Sequence, residues 1–309
     1  MIHVGAPRGA SSIAARPIVI AATLLGALLG ALLGAMPAHA ENAEISTRRA
    51  AERTNFSNDE IKDGFFKTTF RGELQFDRAD ARIRKFDGPV RVFVVNRGEP
   101  DRRAELAAIV ADIRAHIDHL DLAMTDDRAA ANFVVTLVPR RHLEATIRAR
   151  YGRDEAREIG RKLAPECLSG IAKDGRYRIR RAEAILPVDN GDFFFYDCAY
   201  EELLQGLGII NDDNSVPWTM FNDDVQMGFF DIYDQYLLNI LYDPRVRPGM
   251  TKNDVDRLLP GVLPTVRAWI TNANPARDAR RRANSHAALE APCHCAAPGE
   301  MPDANSRAE

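Results

Sequence analysis

The chain has 309 residues, 46% of them hydrophobic and 28% charged, the composition of a globular protein with room for one large domain or two small ones. Its 41 Lys and Arg against 44 Asp and Glu leave a net charge of −3. This mild acidity argues against a nucleic-acid surface as the main partner.

Residues 1–40 read as a signal peptide. Arg8 and Arg16 form a basic start, Ile18 to Met36 is apolar and uncharged, and Ala38-His39-Ala40 offers a small-x-small cleavage site. Cleavage there makes Glu41 the new N-terminus and places the chain in the periplasm or outside the cell, with no stable membrane span. A retained membrane anchor is the alternative, since an apolar run of about nineteen residues just spans a bilayer. Residues 41–56 are polar and read as a flexible segment.

The ordered domain is expected over residues 57–271. Ser57-Asn58-Asp59-Glu60 has the capping-box pattern and starts a helix carrying Ile61, Phe65 and Phe66. Pro89 to Asn96 reads as a strand. Residues 101–124 form a long amphipathic helix with Leu106, Ile109, Val110, Ile113, Ile117 and Leu120 on one face. A second strand spans Asn132 to Val138, a charged helix spans 142–163, and a third extended stretch runs from Tyr177 to Val188. Asp231 to Tyr242 is a strong helix ended by Asp243-Pro244. Thr251 caps a short helix through Leu259, followed by a last segment from Leu263 to Ile270. Residues 272–309 are rich in Arg, Ala and Pro and read as a disordered tail. This order of elements predicts a single α+β domain with a small mixed sheet.

The chemistry gathers between Tyr196 and Asp224. On a helix there, Glu201 and Gln205 share a face because they are four apart, and Glu202 sits beside them. Gly208 is a natural helix stop, after which Asn211, Asp212 and Asp213 turn back toward the pair. Asn222, Asp223 and Asp224 follow, either as cleft residues or as turn formers. Cys167 and Cys198 are expected to form a disulfide tying this helix to the sheet, as suits an exported protein. Cys293-His294-Cys295 lacks a second ligand pair and reads as two thiols of the tail rather than a zinc site.

The run from Glu201 to Asp212 (EELLQGLGIIND) resembles the H-E-x-x-H-x-L-G-L-x-H-D segment of matrixin-type metzincins, which are zinc peptidases. Thr219-Met220-Phe221 falls where their Met-turn would lie. The resemblance implies a zincin-like (metzincin-like) fold with Glu202 at the general-base position. The three zinc-histidine positions become Glu201, Gln205 and Asn211. These oxygen ligands do not suit zinc, so any cation would be a hard one such as Ca²⁺ or Mg²⁺. A closer resemblance, over residues 58–270, is to an exported bacterial family catalogued as domain of unknown function 2927. It rests on Cys198, Glu201-Glu202, Gln205, Leu207-Gly208, Asn211-Asp212, Phe221-Asn222-Asp223, Leu241-Tyr242-Asp243-Pro244-Arg245 and Pro248-Gly249-Met250-Thr251. Two functions fit: a module that binds an envelope protein or peptide without cleaving it, or a hydrolase with Glu202 as base and a hard metal on oxygen ligands.

Overall fold

A computed structural model describes residues 42–70 and 81–275. The signal-peptide reading and Cys293-His294-Cys295 lie outside these residues, as does the tail from 276 onward.

The first element corrects an expectation. Within residues 42–56, part of the segment read as flexible, α1 spans Ala43–Ala51. Asn42 caps it by accepting from the backbone N–H of Glu44 at 2.9 Å, and Ile45 is buried. Just beyond it, Glu52 accepts from the Ile232 backbone at 2.6 Å. Long-range contacts therefore fasten a polar stretch whose own composition does not predict order. Helix α2 (Asn58–Phe70) begins at the expected capping box, with Ser57 and Glu60 bonded reciprocally at 2.7 and 3.2 Å.

Strand β1 (Val90–Asn96) leads into α3 (Arg103–His116), which is shorter than the 101–124 expected. Asn239, buried on a later helix, accepts from the Asp118 backbone and donates to the His116 carbonyl, both at 2.8 Å, so it satisfies the end of α3. His119 then takes a positive φ of 61°. The chain re-emerges as a short strand, β2 (Leu122–Met124). After β3 (Phe133–Val138), the expected single helix over 142–163 is two helices, α4 (Leu143–Tyr151) and α5 (Arg153–Lys162). Gly152 at φ 88° separates them.

Strands β4 (Leu168–Lys173) and β5 (Ile179–Pro187) precede α6 (Asp192–Gly206). Helix α7 (Ile232–Tyr242) is buried along its whole length. Helix α8 (Lys252–Ala273) replaces the two short segments expected. Pro260 and Pro264 do not break it. They are four apart on its exposed face, where water can satisfy the carbonyls they leave unbonded.

The five strands form one sheet in the order β2-β1-β3-β5-β4. Strands β2, β1, β3 and β5 run parallel, and β4 lies antiparallel on the β5 edge. The sheet is thus mixed, as expected, but mostly parallel. Helices α3 and α6 each follow a strand of it, which makes the domain a mixed α/β arrangement rather than one with segregated helices and strands. One continuous core joins Phe133 and Val135 of the sheet to Phe195 and Leu204 of α6 and Leu237 of α7. Helix α6 lies close to the sheet because Gly206 has no side chain: a Cβ there would sit 2.4 Å from the Phe133 ring. Among the described residues, no helix is long and apolar enough to cross a membrane.

Candidate functional site

Helix α6 carries an acidic and amide stripe at helical spacing, Asp197, Glu201 and Gln205, and all three line a cleft of about 1150 Å³. Strand β4 forms one wall, and the loop after α6 contributes Asp212, Asn222 and Asp223. The disulfide between Cys167 and Cys198 joins the start of β4 to α6 across 6.0 Å between Cα atoms, and both cysteines border the cleft. The pairing is the one expected from the sequence.

Glu202 is 5% exposed and still faces the cleft. Burial pushes its carboxyl up to about 8, with the Asp212 charge adding to the rise and the hydrogen bond from the Ser169 backbone N–H opposing it. The neighbouring bonds are directional. Asp212, as a carboxylate, only accepts, so the Gln205 Nε2 faces it at 3.0 Å and leaves Gln205 Oε1 as an acceptor. The Ser169 hydroxyl donates to that Oε1 at 2.9 Å. Having spent its proton there, Ser169 Oγ can only accept, and a protonated Glu202 is the donor that suits it. The chain Glu202, Ser169, Gln205, Asp212 is therefore matched throughout when Glu202 is neutral. The second Glu202 oxygen, Oε2, is buried and has no hydrogen-bond partner among the described residues.

Asp197 is the second perturbed carboxyl. Burial raises it to about 6, although the Met227 and Gly228 backbone N–H groups donate to it at 2.7 and 3.0 Å. Sequence reasoning missed Asp197, yet it lies four residues before Glu201 on the same helical face. It also missed Ser169, for which no local motif exists. The only pointer was the expected disulfide, which brings the residues after Cys167 beside α6.

Asn211 is placed elsewhere and corrects the ligand set Glu201, Gln205 and Asn211. Its amide donates to the Lys67 carbonyl at 3.0 Å and the Asp212 carbonyl at 2.9 Å, and its own N–H donates to the Thr68 carbonyl. It fastens the loop to α2 and does not line the cleft. Asn222 does border the cleft, but its amide donates to the Val216 carbonyl at 3.0 Å and its Oδ1 accepts from the Asp224 backbone, so it mainly holds the loop. Asp223 is exposed at the rim.

Residues 58–261, more than half of the chain, match a family described as protein of unknown function (DUF2927). The chain belongs to this family. No curated protein and no solved structure matches it. The DUF2927 region runs from α2 into α8 and contains every cleft residue named above. Within it, buried Asp234 of α7 holds the Thr219-Met220 turn, accepting from the Thr219 hydroxyl and, at 2.8 Å, from the Met220 backbone. Met220 reaches the cleft lining from that turn. Among the described residues of this DUF2927 chain, no three His, Cys, Asp or Glu side chains are grouped so as to hold a metal ion.

Proposed function

We propose that this DUF2927 chain is an exported envelope protein with a degenerate, metzincin-like cleft that binds an extended peptide and does not cleave it. The observation that carries the reading is the outer edge of β4. Among the described residues this strand pairs with β5 on one side only. The Ser169 N–H points away from β5, toward Glu202. Backbone groups alternate sides along a strand, so Ile171 turns its N–H and C=O to the same outer edge, beside the cleft. Such an edge accepts a further strand through backbone hydrogen bonds, with the cleft selecting side chains.

The non-peptidase part of the reading rests on Glu202. A base must be ionised to take a proton, whereas this carboxyl is buried and best satisfied when neutral. The cleft residues Glu201, Gln205, Asp212, Asn222 and Asp223 serve recognition in this reading. A second reading is kept by one observation: a carboxyl shifted toward neutrality in a cleft is also what a general acid or base needs. In that reading Glu202 is the base of a hydrolase, with Ca²⁺ or Mg²⁺ on oxygen ligands.

The test uses purified protein and a pool of end-capped random decapeptides. Hydrogen exchange at residues 168–173 and mass spectrometry of the peptides are followed together. Protection of β4 with intact peptides supports the binding module. Ile171→Pro, which removes an edge N–H and no ladder bond, should abolish the protection while circular dichroism is unchanged. Peptide cleavage that disappears in Glu202→Gln would replace this reading with the hydrolase.

A further inference from the structure

Resting on the peptide-binding reading, we infer that the cleft selects a cation, a lysine or arginine side chain of the extended peptide, and receives it at Glu202 Oε2. Among the described residues, the cleft holds a buried acceptor with no donor. Glu202 is more than nine-tenths buried, its Oε2 has no partner among them, and it lines the cavity. Leaving a buried acceptor without a donor is costly, so a ligand that brings an N–H to it recovers that deficit.

The sign of the surroundings decides which N–H. Helix α6 presents Asp197 and Glu201 on the same side as Glu202, and the loop adds Asp212 and Asp223. From α4 comes the Tyr151 phenol, which burial keeps protonated, and from β5 comes Glu183, already paired with Arg150. Strand β4 places the neutral Ser169 beside the carboxyl. Three basic residues reach the lining, Arg84, Lys162 and Lys173. Lys162 is paired with Glu158 at 2.7 Å, and Lys173 sits 4.5 Å over the Tyr177 ring. Acidic residues therefore outnumber basic ones in the cleft. A cation gains from that field, and its hydrogen bond to a carboxylate is roughly twice as strong as a neutral one.

Binding of a cation also changes Glu202. An adjacent positive charge favours the ionised carboxylate, so occupation should expel the proton that Glu202 holds in the free protein. Affinity for the cation must then rise as the solution removes that proton, between pH 6 and pH 9, while lysine itself stays charged.

The experiment uses three dye-labelled, end-capped decapeptide pools that differ only in a central lysine, norleucine or glutamate. Fluorescence anisotropy against the purified protein is measured at pH 6 and pH 9. The lysine pool should bind at least about tenfold more tightly than the norleucine pool at pH 9, and the gap should shrink at pH 6. Glu202→Gln, which cannot ionise, should reduce the pH dependence of the lysine pool to the part that Asp197 supplies. Equal binding of lysine and norleucine pools would overturn the cation and leave the peptide-binding reading standing. No binding by any pool at either pH would overturn that reading itself, and the cation with it.

Discussion

The Gln205 amide donates to the Asp212 carboxylate at 3.0 Å, reaching from the last turn of α6 across the Gly208 turn to the loop beyond. This single bond decides the polarity of the cleft floor. It orients Gln205 so that its oxygen faces Ser169, and Ser169 in turn presents an acceptor to Glu202. Gln205 thus works as a relay between two carboxyl groups.

Glu202→Gln should make the protein more stable, and increasingly so at higher pH. The folded carboxyl titrates higher than its unfolded counterpart because it is buried. Its stabilising contribution is therefore fully present below the unfolded value and is lost as pH rises through the folded one, from about 4.5 to about 8. The amide cannot ionise, and its NH₂ can donate to Ser169 as the neutral acid does. Urea unfolding at pH 5 and pH 8.5 should show the variant's advantage growing by at least about tenfold in the folding equilibrium, the equivalent of one pK unit. Parallel pH profiles for the two proteins would contradict a buried, neutral Glu202.

Cys198→Ser should lower stability by about 3 kcal/mol, because the Cys167–Cys198 bridge closes a loop over a sequence separation of 31. Chemical unfolding of the wild type with and without reductant should reproduce the loss. A variant as stable as the oxidised protein would mean that the bridge does not constrain the chain.

Asp234→Ala should cost about 2 kcal/mol or more. It leaves the Thr219 hydroxyl and the Met220 N–H buried without an acceptor. Thermal unfolding reads the loss. Asp234→Asn keeps one acceptor oxygen and should fall between wild type and alanine.

Two glycine substitutions should have opposite signs. Gly208 has φ +126°, and a Cβ there would lie 2.2 Å from the Arg84 carbonyl oxygen, so Gly208→Ala should cost about 1–3 kcal/mol or more. Gly160 lies exposed in α5 with open space where a Cβ would stand. Gly160→Ala should stabilise the protein by about 0.5–1 kcal/mol. Denaturant midpoints of the two variants on either side of the wild type would bear this out.

By itself the sequence determined what neighbours within a few residues can decide. The capping box at Ser57 and Glu60, the cap at Thr251, the apolar runs of β1 and β3 and the buried helix α7 follow from periodicity and from hydrogen bonds spanning three or four positions. The stripe of Glu201 and Gln205 was legible for the same reason, and the disulfide followed from the oxidising compartment expected for the chain. Tertiary structure decided the rest. Helix α3 stops at His116 because Asn239, more than a hundred residues away, satisfies its end. Helix α1 is held by Glu52 bonding to Ile232, and β2 exists only as a partner for β1. Asn211 turns from the cleft to Lys67, and the Glu202 carboxyl is pushed up because the fold buries it. Local pattern places a side chain on a face, but its charge state and its partner depend on what the fold packs against that face.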